Sequence, residues 1–264
     1  MKKSIILLLA VMVIVGMISC SGSKNEDEKY RKGWTLVWED NFDGPSLDTN
    51  IWSKLPRGKN FNDRFMSNND AVARFHEGNI VLLGLNNPIE NAEQPFITGG
   101  ITTVRHKKMA KTSRIEARLR TISVPGAIYY MSLLPTNKSE ETENIFINIM
   151  SRYGTDLFIY NAVSSDYTQE MQENPPAMTL VGVNPDKYHT FVMERYPDSL
   201  VFYVNDLRTK MYPRILTDME GQFPFNDQDF DLTFGVSLHS TTNPDNLPAY
   251  MFVDWVRYYE RNEE

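Results

Sequence analysis

Two glutamates stand two residues apart in the run NKSEETEN, at Glu141 and Glu143. A pair of carboxylates can divide the duties of acid, base and nucleophile, provided a rigid element holds both in reach of one bond. If extended, Glu141 and Glu143 share a strand face, but their polar surroundings read as a loop. The strand follows as ENIFINIMSRYG, residues 143–154, and its chemistry-bearing side chains are Asn148 and Ser151. Asn148 does not titrate, and Ser151 has no base beside it, so it is a poor proton donor near neutral pH. Asp156 comes after the strand. For each of these three carboxylates a solvated loop charge is the competing reading.

The elements that must position such groups are strands. In ENIFINIMSRYG apolar and polar residues alternate, then Ile149 and Met150 stand together, then a small polar residue follows. That rhythm suits a strand with a kink, where one inserted residue returns the alternation to the same face. From Gly33 onward the chain repeats short extended runs such as TLVWEDNF, GNIVLLGLN, RIEARLRT, YHTFVMERY, SLVFYVND, DLTFGVSL and YMFVDWVRYY. Turn clusters such as DGPS, LPRGKN, NPDK, YPDS and TTNPDN separate them. Many short strands with such punctuation predict an all-β sandwich or barrel. No repeat of fixed period and no second composition regime appears, so one β domain over 33–262 is expected.

The first residues, MKKSIILLLAVMVIVGMISC, place Lys2 and Lys3 before an apolar stretch, Ile5 to Ile18, that is too short to span a bilayer. Residues 1–19 therefore read as a signal peptide. Cys20, the only cysteine of the chain, follows Met17-Ile18-Ser19 in a pattern that resembles a bacterial lipobox. The expectation is an acylated cysteine at the mature N-terminus, with residues 20–32 as a flexible acidic tether. The competing reading is a secreted protein with an incidental cysteine. Glu26-Asp27-Glu28 behind the lipid resembles surface-export tethers, which implies a cell-surface lipoprotein of a bacterial outer membrane. Membrane contact would run through the lipid alone. The net charge is −7 and falls further once Lys2 and Lys3 are removed, which argues against nucleic acid as a partner.

Several stretches together resemble glycoside hydrolase family 16. WTLVWEDNFDGPSLDTNIWSK looks like the family's first strand and following loop, and FITGGITTV with KTSRIEARLR like its TSGGI…YGRIEAR segment. YHTFVMERYPDSLVFYVND resembles its WHTYAVEWTPD-type strand pair, and YMFVDWVRYYE its closing strand. The resemblance runs in order from about residue 33 to 260. It implies a concanavalin A-like β-jelly-roll of two antiparallel sheets with a concave cleft, in which active members cut β-linked polymers. Fold alone does not carry that activity.

The resemblance also implies a site, and this chain departs from it. Active members carry E-x-D-x-x-E on the kinked strand, as nucleophile, tuning Asp and acid/base, with the two outer carboxyls about 5–5.5 Å apart for retention. The matching residues here are Phe146, Asn148 and Ser151. A register shifted to bring Glu143 to the nucleophile position would put Ile145 and Asn148 at the other two. The family strand resembling GAWPALWLLP appears as GAIYYMSLLP, so its cleft tryptophans become Ile128 and Ser132. Of the adjacent Tyr129 and Tyr130, one must face the core. Arg195 stands where the family often has a third tryptophan. All four tryptophans, Trp34, Trp38, Trp52 and Trp255, fall on scaffold motifs.

The expected cleft residues are therefore Arg64, Ile128, Tyr130, Ser132, Phe146, Asn148, Ser151, Arg195 and His239, with His189 on the scaffold. A surface ion pair for Arg64 and a packing role for His239 compete. No organic cofactor is implied. The family's structural Ca²⁺ would fall on Glu39, Gly78 and Asp254, all oxygen donors, against a reading in which Asp254 caps backbone groups. Three functions follow: a lipid-anchored protein binding a polysaccharide or oligosaccharide without cleaving it, a β-glycan hydrolase with relocated carboxylates, or an assembly module with a filled cleft.

Overall fold

Residues 230–238, FDLTFGVSL, show how the molecule is layered. Phe230, Leu232, Phe234, Val236 and Leu238 all enter the hydrophobic core, while Asp231, Thr233, Gly235 and Ser237 face the other way. Such period-two alternation follows from the pleat, and each large apolar side chain taken from water contributes roughly 1.5–3 kcal/mol. The computed structural model describes residues 31–59, 65–104, 108–137, 139–140, 142, 144–154, 158–164, 175–215 and 221–261. The chain divides into residues 1–31 and 32–264. The signal peptide, Cys20 and nearly all of the tether lie outside the described residues, as do Arg64, Glu141, Glu143 and Asp156.

The strands in chain order are β1 (Trp34–Asp40), β2 (Trp52–Lys54), β3 (Gly58–Lys59), β4 (Phe65–Met66), β5 (Ala73–His76), β6 (Asn79–Asn86), β7 (Phe96–Thr98), β8 (Gly100–Thr103) and β9 (Ser113–Thr121). They continue as β10 (Ala127–Pro135), β11 (Phe146–Tyr153), β12 (Phe158–Ser164), β13 (Met178–Gly182), β14 (His189–Tyr196), β15 (Ser199–Val204), β16 (Leu207–Pro213), β17 (Phe230–Leu238) and β18 (Ala249–Arg261). Among the described residues they form two sheets. The smaller runs β13-β12-β11-β10-β17-β8-β2, and the larger β16-β15-β14-β9-β18-β6-β7-β4-β3 with β1 on β18 and β5 on β6. Pairing is antiparallel except between β4 and β7. The runs predicted as strands are strands; Leu207–Pro213, rich in polar residues, is one that alternation alone did not single out.

Core residues come from both sheets, Ile115, Ala117 and Leu119 of β9 opposite Met131, Leu133, Ile147 and Phe234 among them. Tyr129 is fully buried, and its hydroxyl donates to the Ile122 carbonyl. Trp38 stacks on Tyr258 at 5.6 Å and meets Trp52 edge-on at 5.9 Å. Arg152 ties the sheets together: from β11 it donates to the Thr121 carbonyl at 3.1 Å, to Thr121 Oγ1 at 2.9 Å and to Asp186 at 2.9 Å. At Gly99, between β7 and β8, a Cβ would come within 1.9 Å of the Val72 carbonyl oxygen. That atom is backbone and cannot step aside, so only glycine fits.

Edge strands β13 and β16 close one flank. There Lys210 is buried, donating to the Pro176 carbonyl at 2.6 Å with its ammonium 5.8 Å from the Tyr212 ring centre. Burial pushes the lysine down to about 8. An ammonium that loses its proton more readily when folded costs stability while charged. That cost is full below pH 8 and disappears as pH rises toward the lysine's unfolded value near 10.5. Lys210→Met is therefore expected to be the more stable protein at pH 7, by about 3 kcal/mol at most. The gap should narrow between pH 8 and 10 in urea melts; a gap independent of pH would refute the assignment.

Candidate functional site

The kink in β11 is where the sequence pattern put it. Along β10, Met131 lies opposite Met150 and Ser132 opposite Asn148, so Ile149 is the inserted residue. Ile149 and Met150 are both fully buried in the core. The bulge returns Ser151 to the face already occupied by Phe146 and Asn148, with Ile147 and Arg152 on the other. These three positions share the outward face of the smaller sheet, and β10 places Ile128, Tyr130, Ser132 and Leu134 beside them.

Cross-strand register makes this face a set of rows. One runs Asn148, Ser132, Thr233, Thr102 and Ser53 across β11, β10, β17, β8 and β2. Ser132 Oγ donates to Asn148 Oδ1 at 2.5 Å, and the Thr102 and Thr233 hydroxyls bond each other at 2.9 Å. At about 4.8 Å per strand the row spans roughly 19 Å. Asn148 and Thr102 are partly exposed and Ser53 exposed, while Ser132 and Thr233 are 3% and 1% exposed. The next row runs Ser151, Tyr130, Gly235 and Gly100. Here glycine has a definite role, since a Cβ at 235 would lie 2.2 Å from the Tyr130 hydroxyl oxygen and 2.4 Å from its Cζ. Gly235 thus lets the Tyr130 ring lie flat across β17. Tyr153, Ile128 and Ser237 form a third row.

Register also carries the face outward to Met178 and Leu180 of β13, both exposed. The floor is therefore apolar toward β13 and hydroxyl-rich toward β2. Among the described residues of these rows, and of the Leu134 position beside them, Asp231 is the only carboxylate. A facing pair is not formed by described side chains.

His239 directly follows β17 and is exposed, with Nδ1 engaged by Thr241 Oγ1 at 2.7 Å. Arg195 does not belong here, contrary to the sequence-based expectation. It lies on β14 of the larger sheet, 2% exposed, and its guanidinium donates to the Phe225 carbonyl and, at 3.2 Å, to that of Gln228, over the Phe230 ring. Burial lowers its pKa. Alternation along β14 sends residue 195 inward with Phe191 and Met193, so a tryptophan-for-arginine exchange there concerns the core. His189 is a scaffold residue, its Nε2 2.8 Å from the Asn184 carbonyl. Thr102, Thr233, Asp231 and Ser237 were missed. The alternation of FDLTFGVSL was the signal for the last three.

Two of the residues matched to a Ca²⁺ are beside arginines. Asp254 is paired with Arg118, and Glu39 has Nε of the fully buried Arg257 at 3.5 Å. Gly78 adjoins a third carboxylate, Asp43, whose Oδ1 lies 3.1 Å from where its Cβ would be. Among the described residues no three His, Cys, Asp or Glu are grouped to hold a metal.

No protein-family model matches the chain. In sequence it is similar to a keratan-sulfate endo-1,4-β-galactosidase of Sphingobacterium multivorum, 25% identical over 244 residues, covering 86% of this chain and 55% of that protein. The chain thus spans about half the length of this relative. It is likewise similar to a β-glucanase of Rhodothermus marinus, 24% identical over 264 residues, covering 92% and 91%. In structure it superposes on the laminarinase from Rhodothermus marinus with a TM-score of 0.73, at 22% identity over 87% of this chain and 98% of that one. A non-specific endo-β-1,3(4)-glucanase of glycoside hydrolase family 16 gives 0.75, at 16% identity over 88% and 93%. These likenesses establish the fold as the jelly-roll of those enzymes.

Proposed function

We propose that this protein binds a β-linked polysaccharide or oligosaccharide on the outward face of its smaller sheet and does not cleave it. The observation that carries the reading is the bulged strand β11. Its backbone geometry brings positions 146, 148 and 151 to one face, and those positions hold Phe, Asn and Ser. By the family 16 resemblance, those are the places of nucleophile, tuning acid and proton donor. Loss of one positioned acid or base typically costs about 10²–10⁴ in rate. The row from Asn148 to Ser53 offers an amide at one end and the Thr102 and Ser53 hydroxyls at the other, over a track several sugars long, with Tyr130, Phe146 and Ile128 as apolar neighbours. A glutamate-to-serine variant of the family 16 glucanase has been crystallised presenting 1,3-β-D-cellobiosyl-glucose at its active site, which supports binding without an intact carboxylate set. Cys20 would tether the domain to the outer membrane through lipid.

Titration calorimetry with laminarin, mixed-linkage β-1,3(4)-glucan and desulfated keratan tests this reading. At least one is expected to bind, with Asn148→Ala weakening it about fivefold, the worth of one hydrogen bond. Failure of all three removes the binding proposal. The near-complete burial of Ser132 and Thr233 favours one second reading, an assembly module whose groove is closed by its own side chains. That reading expects no glycan to bind and no protection of Tyr130 from chemical modification by any of them.

A further inference from the structure

The opposite surface, the outward face of the larger sheet, carries a feature that the groove does not use. Arg120 of β9 lies between two rings, its Cζ 3.9 Å from the centre of Phe252 and 5.2 Å from that of Tyr188. Tyr250 stacks beside Phe252 at 5.8 Å and 24°. Arg118, two residues back on the same face, sits 4.4 Å over Tyr188 and pairs with Asp254. Tyr188 is itself fixed, its hydroxyl donating to Asn79 Oδ1 at 2.7 Å. Arg118, Arg120, Tyr188, Tyr250 and Phe252 are all partly exposed.

Register extends the patch. Arg120 lies opposite Phe252, Phe252 opposite Val81, and Val81 opposite Arg74. Arg74 is exposed and donates through Nε to the Ala71 carbonyl at 3.0 Å. A line of roughly 14 Å across four strands thus has a guanidinium at each end and an aromatic face between. The carboxylate beside it, Asp254, is paired with Arg118. Among the described residues, no carboxylate forms an ion pair with Arg120. A guanidinium that meets rings through its face retains its in-plane N–H groups, which can grip a planar or tetrahedral oxyanion with two parallel bonds. In a chain of net charge −7, three arginines on one aromatic platform form a local exception to the overall sign.

We propose that this platform is a second glycan site, remote from the groove and selective for acidic sugars, with a sulfate or carboxylate on Arg120 and a pyranose ring on Tyr250 and Phe252. Both acidic groups present the same oxygen edge, so the probes must separate them. Keratan sulfate oligosaccharide carries sulfate without carboxylate, oligogalacturonate carries carboxylate without sulfate, and laminari-oligosaccharide carries neither. Titrated against the full chain, at least one acidic probe is expected to bind, more weakly as salt rises. Arg120→Ala should weaken it tenfold or more. Arg120→Gln, which keeps a flat group between the rings without the charge, should show the same loss, separating charge from folding. Ser132→Trp, which obstructs the groove, should leave acidic binding unchanged. The proposal is overturned if neither acidic probe binds, if both Arg120 variants bind as the parent does, or if Ser132→Trp abolishes acidic binding. The laminari-oligosaccharide arm reports on the groove alone, so failure of one site is distinguishable from failure of the other.

Discussion

Phe146→Glu, Asn148→Asp and Ser151→Glu, made together, are expected to give a slow hydrolase that releases reducing ends from β-1,3-glucan, where the proposed binding-only role expects the parent to release none. The bulge at Ile149 already puts the three positions on one face, and retention needs two carboxyls about 5–5.5 Å apart across the bond to be cut. Ser132 already donates to residue 148 and would serve an aspartate there as well as it serves the asparagine. Single replacements should remain inactive, because nucleophile and proton donor act as a unit and their effects do not add. The triple variant should exceed the parent by at least about 10², the lower bound for one positioned acid or base. Reducing-sugar assays on parent, singles and triple decide the matter. A parent that hydrolyses at rates undisturbed by substitution at 146 or 151 would return the chain to the enzymes, with its carboxylates elsewhere.

The largest single-site loss of stability is expected at Arg114. Its guanidinium donates to Glu116 at 2.6 Å and to Glu194, with side-chain exposures of 8%, 0% and 9% for the three. Tyr196 and Tyr203 also donate to Glu194, at 2.9 and 3.1 Å. Burial, and then the Glu194 carboxylate, push the Tyr196 hydroxyl up to about 12. Arg114→Leu would remove the guanidinium that both buried carboxylates share, and breaking such a buried pair costs about 3–5 kcal/mol. At 2–4 °C per kcal/mol for a domain of this size, the melting temperature should fall by roughly 6–20 °C. Replacing Arg114, Glu116 and Glu194 together by apolar residues of similar volume should restore most of the loss. A single variant that melts with the parent would show that the cluster contributes little.

What the sequence made legible was local. Strand identity, the kink at Ile149-Met150 and the inward turn of one of Tyr129 and Tyr130 all follow from alternation over a few residues. Partnership between strands was not legible. Ser132 meets Asn148 across one turn, but it meets Thr233 from a strand a hundred residues away, and Thr233 meets Thr102 across a still longer gap. Nothing in the local pattern of either segment encodes that register, so the hydroxyl row emerges only when the sheet is assembled. Arg195 was misplaced for the same reason. A family-like position was recognised, but the sheet to which β14 belongs, and the inward parity of residue 195, are matters of pairing. The aromatic cradle around Arg120 joins β9, β18 and the residue before β14, three segments that share no motif.

The row of hydroxyls has a consequence for selectivity. A serine or threonine proton rotates about its C–O bond, so each oxygen can give or receive without any heavy atom moving. The Thr102–Thr233 pair in particular can swap donor for acceptor in place. Where the floor is open, at Thr102 and Ser53, such rotors answer an incoming hydroxyl in whichever sense it presents itself, and so have little power to tell one epimer from another. Stereochemical choice would then fall to the rigid rings and branched aliphatics alongside. Tolerance toward the sugar alphabet, and fastidiousness about the contour of the chain, is the behaviour that such a surface builds in.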